Sequence, residues 1–143
     1  MHKIFGTKEN TEYTEREGAY LIPCRGDQIA VVQTHKGYFF PGGGLEHGES
    51  HLDCIERECM EETGYHAYVK SKLCSAEAYV KHPTIGYFHP IQTYYIGDLL
   101  DKASEPTEVD HTLCWIKYEA LKGKMFVAMQ NWALEQLSEM KFI

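Results

Sequence analysis

Residues 43 to 65 read GGLEHGESHLDCIERECMEETGY, and this stretch decides what the chain can be. Ser50 can cap a helix, with Asp53 three residues on as an imperfect capping box, and Gly64 can end it at the C′ position. The spacing predicts a helix over Ser50 to Thr63 with Leu52, Ile55 and Cys59 on one face. On an ideal helix Glu58, Glu61 and Glu62 fall within one arc of ~100°, displaced from that face. Neither Lys nor Arg is expected in the arc. Like charges at i,i+4 cost roughly a few tenths of a kcal/mol per pair, so the cluster wants a cation. Carboxylate oxygens suit Mg²⁺, which keeps several waters and takes phosphate oxygens. The competing reading is a solvated acidic face.

Outward from this segment the chain alternates β-type and helical patterns. Ala19 to Pro23 and Gln28 to Thr34 read as strands joined by a hairpin turn at Cys24-Arg25-Gly26-Asp27. Tyr38-Phe39-Phe40 runs into Pro41-Gly42-Gly43-Gly44, where a regular strand is expected to stop. His66 to Lys81, Thr84 to Gly97 and His111 to Ile116 read as strands. Phe126 to Met140 is amphipathic, with Met129, Trp132, Ala133, Leu137 and Met140 at helical spacing. The expected fold is α+β, a mixed sheet held between helices.

The 143 residues suit one domain, expected to span 1–143. Five cysteines, odd in number and without a C-x-x-C pair, argue for reduced thiols and a cytoplasmic setting. The N-terminus lacks the apolar core of a secretory signal, and no apolar run suits a membrane span. A net charge of −7 disfavours nucleic-acid and anionic-membrane partners. Taken as a bulk value it also disfavours a polyphosphate ligand. The charge is not spread evenly, however. Glu46 to Glu62 holds seven acids against Arg57 alone, so the rest of the chain is nearly neutral and the acidic focus looks like a seat for metal.

The same stretch resembles the Nudix hydrolase signature, G-x5-E-x7-R-E-U-x-E-E-x-G-U, where U is bulky and apolar. Gly43, Glu49, Arg57, Glu58, Glu61, Glu62 and Gly64 fill the seven literal positions, with Cys59 and Tyr65 at the U positions. A chance match has a probability on the order of 10⁻⁸ per start site. Upstream, Tyr38-Phe39-Phe40-Pro41-Gly42-Gly43 is similar to the family's aromatic lead-in, with Tyr38 where Trp often stands.

The resemblance implies an α/β/α sandwich and Mg²⁺-dependent hydrolysis of a nucleoside diphosphate linked to X, with Mn²⁺ as the alternative ion. It implies Glu58, Glu61 and Glu62 as metal ligands, joined by the carbonyl of Gly42, with Glu58 and Glu61 taking part in catalysis. Gly43, Glu49, Arg57 and Gly64 would support the site structurally. Among the late acids Glu105, Glu108 and Asp110, Glu108 is the choice for a further ligand or base. Tyr79, Tyr87 and Phe88 are candidates for stacking on a base, and Asn131 for reading its edge. A nucleoside triphosphate, ordinary or oxidised, is the expected substrate. ADP-ribose, nucleotide sugars and dinucleoside polyphosphates are the alternatives, since Pro83, Tyr79 and Tyr87 fit those branches poorly. A non-catalytic nucleotide sensor is the reading from another class, and family habit suggests a homodimer.

Overall fold

Apolar residues run unbroken from Ala19 to Pro23 in the second strand, and that run sets the two-sided core. In the computed structural model, which describes residues 1–143, β2 (Thr14–Arg25) sends Ala19 and Leu21 to one face of the sheet and Ile22 to the other. Successive side chains of a strand point to opposite faces, so a strand buried on both faces needs a nearly unbroken apolar run. The next strand, β3 (Gln28–Thr34), repeats the pattern with Ala30 on the first face and Ile29 and Val31 on the second. The hairpin between them turns at Gly26 and Asp27, where Gly26 has φ +59°.

Strand β1 (His2–Phe5) runs parallel to β6 (Tyr65–Ala78), which is antiparallel to β8 (Gly86–Lys102). In turn β8 runs parallel to β2 over ten register pairs from Thr14↔Phe88 to Pro23↔Gly97. Short β7 (Val80–His82) pairs with β8, and β4 (Gly37–Phe39) and β9 (Thr112–Lys117) flank β3. The sheet is mixed, as expected. The edge strand β1 lacked a sequence signal because it is four residues long and mostly exposed.

The glycine run does not stop regular structure. Gly42–Gly44 forms β5, antiparallel to Gly18–Tyr20 of β2. Glycine is needed here for closeness: a Cβ on Gly42, at φ +145°, would collide with the Ala19 carbonyl and lie 2.6 Å from Tyr20 Cα.

Helix α1 (His51–Thr63) covers one face and α3 (Ala128–Glu139) the other, with a short α2 (Tyr118–Leu121) before it. Ser50 caps α1, its Oγ accepting from Asp53 N at 3.1 Å. Ser50→Ala should cost about 1 kcal/mol, seen as a lower denaturation midpoint with unchanged slope. The buried face of α1 is Cys54, Ile55, Cys59 and Thr63. Leu52 is 55% exposed, because it lies in the first turn, before the helix meets the sheet. On α3, Met129, Ala133, Leu134 and Leu137 are buried, whereas Met140 lies past the last turn and is exposed. No helix is long and apolar enough to cross a membrane.

Candidate active site

The capped helix α1 turns Glu58, Glu61 and Glu62 away from its Cys54/Ile55/Cys59 face, toward β5 and the loop before β9. Glu62 is held at its base: Gly42 N–H donates to Glu62 Oε1 at 2.9 Å. Glu58 packs on the next glycine, where a Cβ on Gly43 would lie 2.7 Å from the Glu58 carboxyl carbon. Consecutive glycines thus let strand and helix approach closely enough to bring two carboxylates against backbone. Gly42 meets Glu62 through its amide.

Arg57 is the organising cation. Its Nε donates to Glu49 Oε2 at 2.7 Å and its Nη2 to Glu49 Oε1 at 2.9 Å, a two-pronged pair that fixes the loop to the helix. Nη2 also donates to the Gly44 carbonyl at 3.2 Å. Nη1 donates to Glu58 Oε1 at 2.7 Å and lies 3.4 Å from Glu61 Oε2. The acidic arc is therefore not free of cations. Arg57 begins just outside it, one turn before Glu61, and its long side chain reaches across. The bond to Arg57 pulls the Glu49 carboxyl down to about 2.

One guanidinium does not balance the group. Side-chain exposure is 17% for Glu58, 34% for Glu61 and 13% for Glu62, so water screens Glu58 and Glu62 poorly. Burial pushes Glu62 up to about 9, offset in part by the Gly42 amide and reinforced by Glu58, Glu108 and Glu61. Burial also raises Glu58, against the opposing pull of Arg57. The donor set, hard oxygens with uncompensated charge, fits a divalent cation. No three acid, imidazole or thiol groups converge on one point. Arg57 Nη1 lies between Glu58 and Glu61, so a cation would compete with it for their oxygens while Glu49 holds the rest of the guanidinium.

The loop before β9 closes on the end of α1. Thr107 N and Glu108 N both donate to the Glu61 carbonyl, at 2.9 and 3.0 Å. Of the three candidate acids, Glu105 pairs with Lys102 at 3.0 Å and Asp110 with His35 at 2.5 Å. Glu108 makes no ion pair and is near enough that its charge raises Glu58 and Glu62. Behind it, His111 Nε2 is 3.8 Å from Glu62 Oε2.

Two cavities flank the cluster, sharing Tyr20 and Phe39. One, of about 450 Å³, lies beside Gly42, Glu62, His35 and His111. The other, of about 400 Å³, lies beside Gly43 and Gly44 and is walled by Arg16, Phe88 and Gln92. Phe88 is the one stacking candidate placed here. Tyr79 stacks on His89 at 4.3 Å, and Tyr87 packs edge-on to Tyr13. Asn131 accepts from Met125 N at 2.9 Å and donates to Met125 O at 3.0 Å, so its amide serves the entry to α3. The structure does not bring Tyr79, Tyr87 or Asn131 to either cavity: strand alternation turns the tyrosines elsewhere, and the start of α3 uses the asparagine. Arg16, Tyr20 and Gln92 carry no signal in the sequence that marks them for the site. Only the pairing of β2 with β5 and β8 puts them beside the glycines, and no local spacing signals that pairing.

The family profile described as NUDIX domain matches residues 14–136. Among solved structures, a MutT NUDIX hydrolase from Burkholderia pseudomallei superposes with TM-score 0.72 at 20% identity, covering 87% of this chain and 98% of that one. A MutT protein from Methanosarcina mazei Go1 gives 0.74 at 15% identity, covering 92% and 99%. A NUDIX hydrolase from Nitrosomonas europaea gives 0.72 at 16% identity, covering 90% and 91%.

Proposed function

The chain belongs to the NUDIX family of hydrolases, and on that premise we propose that it cleaves nucleoside triphosphates, ordinary or oxidised, to a nucleoside monophosphate and pyrophosphate with Mg²⁺. The family in general hydrolyses a nucleoside diphosphate linked to another group X and uses a divalent metal. One observation carries the reading: Glu58, Glu61, Glu62 and the unpaired Glu108 gather toward one end of α1, where of these four Arg57 pairs with Glu58 and Glu61 alone.

In this proposal residues 1–143 act as one catalytic domain, and Glu58, Glu61 and Glu62 hold the ion. A bound divalent ion supplies Lewis acidity at the phosphoryl oxygens and lowers the pKa of water. Glu58, fixed by Arg57 Nη1 and the Gly43 backbone, orients the attacking water, with Glu61 and Glu108 beside it. Water adds at phosphorus, the anhydride P–O bond breaks, and the released pyrophosphate carries away its bridging oxygen. Arg16 makes no ion pair and lies against Gly44, where its guanidinium would meet a phosphate bound in the second cavity.

The test is release of pyrophosphate and phosphate across a panel of ordinary and oxidised nucleoside triphosphates, ADP-ribose and diadenosine polyphosphates, with Mg²⁺, Mn²⁺ or chelator. Expected is pyrophosphate in step with monophosphate from a triphosphate, abolished by chelator. Silence across the panel with both metals overturns the reading. Turnover confined to ADP-ribose or a dinucleotide overturns the choice of substrate.

A further inference from the structure

Gln92 stands where two cavities meet. One is the space against Gly43 and Gly44, and the other is an apolar space of about 280 Å³ walled by Phe5, Phe88, Val127 and Met129. Its carboxamide is not free to turn. Tyr94 is fully buried, and burial keeps its hydroxyl protonated well past the usual range. That hydroxyl donates to Gln92 Oε1 at 2.5 Å and has no other acceptor. Reversing the amide would leave a buried hydroxyl hydrogen without an acceptor, an arrangement that folded proteins avoid.

The amide nitrogen therefore faces the other way. Its only partner is the Tyr20 hydroxyl, at the outer limit of 3.5 Å. At the junction of the two cavities the chain presents a fixed donor with hydrogens to spare. Flat apolar walls from Phe88 and Pro90 lie beside it, and the unpaired Arg16 guanidinium lies toward the glycine loop.

We propose that Gln92 selects nucleobases with an oxo group at purine C6 or pyrimidine C4, as in hypoxanthine, guanine and uracil, over adenine and cytosine, which carry an amino group at that position. This rests on the reading of the site as one for nucleotides, and it names the class of base. The N–H of Gln92 donates to an exocyclic oxygen, whereas an exocyclic amino group there sets donor against donor. Tyr94 is a positioning residue: it touches no ligand and fixes which end of the amide Gln92 shows. A site that rejects by leaving polar groups unpaired discriminates more sharply than one that relies on shape.

The experiment compares binding of IMP with AMP, and of UMP with CMP, by calorimetry, alongside turnover of ITP and ATP. Expected is a preference for the carbonyl partner of about ten-fold in each pair. Gln92→Glu keeps an acceptor for Tyr94 and replaces the donor by an oxygen, so it should invert the preference. Tyr94→Phe frees the amide to turn and should bring the ratio toward one. A wild-type ratio within about two-fold in both pairs overturns the proposal, as does a preference that survives Gln92→Glu unchanged in a protein with the wild-type melting profile. Carbonyl preference in binding without any hydrolysis supports the role of Gln92 and sinks the hydrolase reading alone. Hydrolysis without base preference does the reverse.

Discussion

Glu61→Gln is expected to lower metal-dependent turnover by about 10²-fold or more while leaving the melting temperature close to that of the wild type. The separation follows from which part of Glu61 does what. Its backbone carbonyl, unchanged by the substitution, accepts from Thr107 and Glu108 and so holds the loop before β9. Its carboxylate is one-third exposed and meets Arg57 only at 3.4 Å, a contact that contributes little to stability at such exposure. Removing the charge even relieves repulsion on Glu58 and Glu62. Turnover and thermal melting on the same preparation check this. A variant that turns over like the wild type would show that the carboxylate is a solvated surface charge.

Gly64→Ala should damage both fold and activity. Gly64 closes α1 at φ +78°, its N–H donating to the Met60 carbonyl at 3.0 Å. A Cβ there would collide with the Ser104 carbonyl. That contact comes from the loop carrying Glu108, which the Gly64 carbonyl helps hold by accepting from Ala103 N at 2.8 Å and Ser104 N at 3.2 Å. Left-handed strain costs an L-residue roughly 1–2 kcal/mol, and displacing backbone adds to it, for a total of about 3 kcal/mol. In a domain of this size that lowers the melting temperature by roughly 10 °C. Because the displaced loop carries Glu108, turnover should fall even at temperatures where the variant is folded. Melting unchanged within about 1 °C would mean the loop yields freely.

The sequence made local features legible and hid those that depend on pairing. Ser50 and Gly64 each carry their signal in a few neighbouring residues, and the helix they bound lies as expected at His51–Thr63. The β-rich runs of β2 and β3 were readable for the same reason. Gly42–Gly44 read as a breaker, because glycine disfavours a strand locally. The close approach of Ala19, Tyr20 and Glu58, which only the folded chain reveals, makes glycine the residue that fits.

The charged arc shows a similar limit. Helical angles placed Arg57 outside it, yet the length of an arginine side chain and the anchor at Glu49 bring the guanidinium in. Tyr79, Tyr87 and Asn131 are residue types able to bind a base, and packing assigns them to other neighbours. Tyr20, Arg16 and Gln92 come to the cavities through β2, β5 and β8, strands distant in sequence. Membership of the NUDIX family was readable because its signature is a local spacing, whereas choice of base depends on strands that meet only in the fold.

The proposed role of the acid cluster at the end of α1 as a seat for a divalent cation is open to a direct test by metal binding, without reference to any substrate. Mn²⁺ binding followed by electron paramagnetic resonance should show a saturable site in the wild-type protein, displaced by Mg²⁺. In Glu62→Gln that site should be lost or weakened by about ten-fold or more. That variant keeps an Oε1 to accept from Gly42 N, so the fold should stand. No saturable Mn²⁺ site in the wild type, or equal affinity in Glu62→Gln, would contradict the assignment.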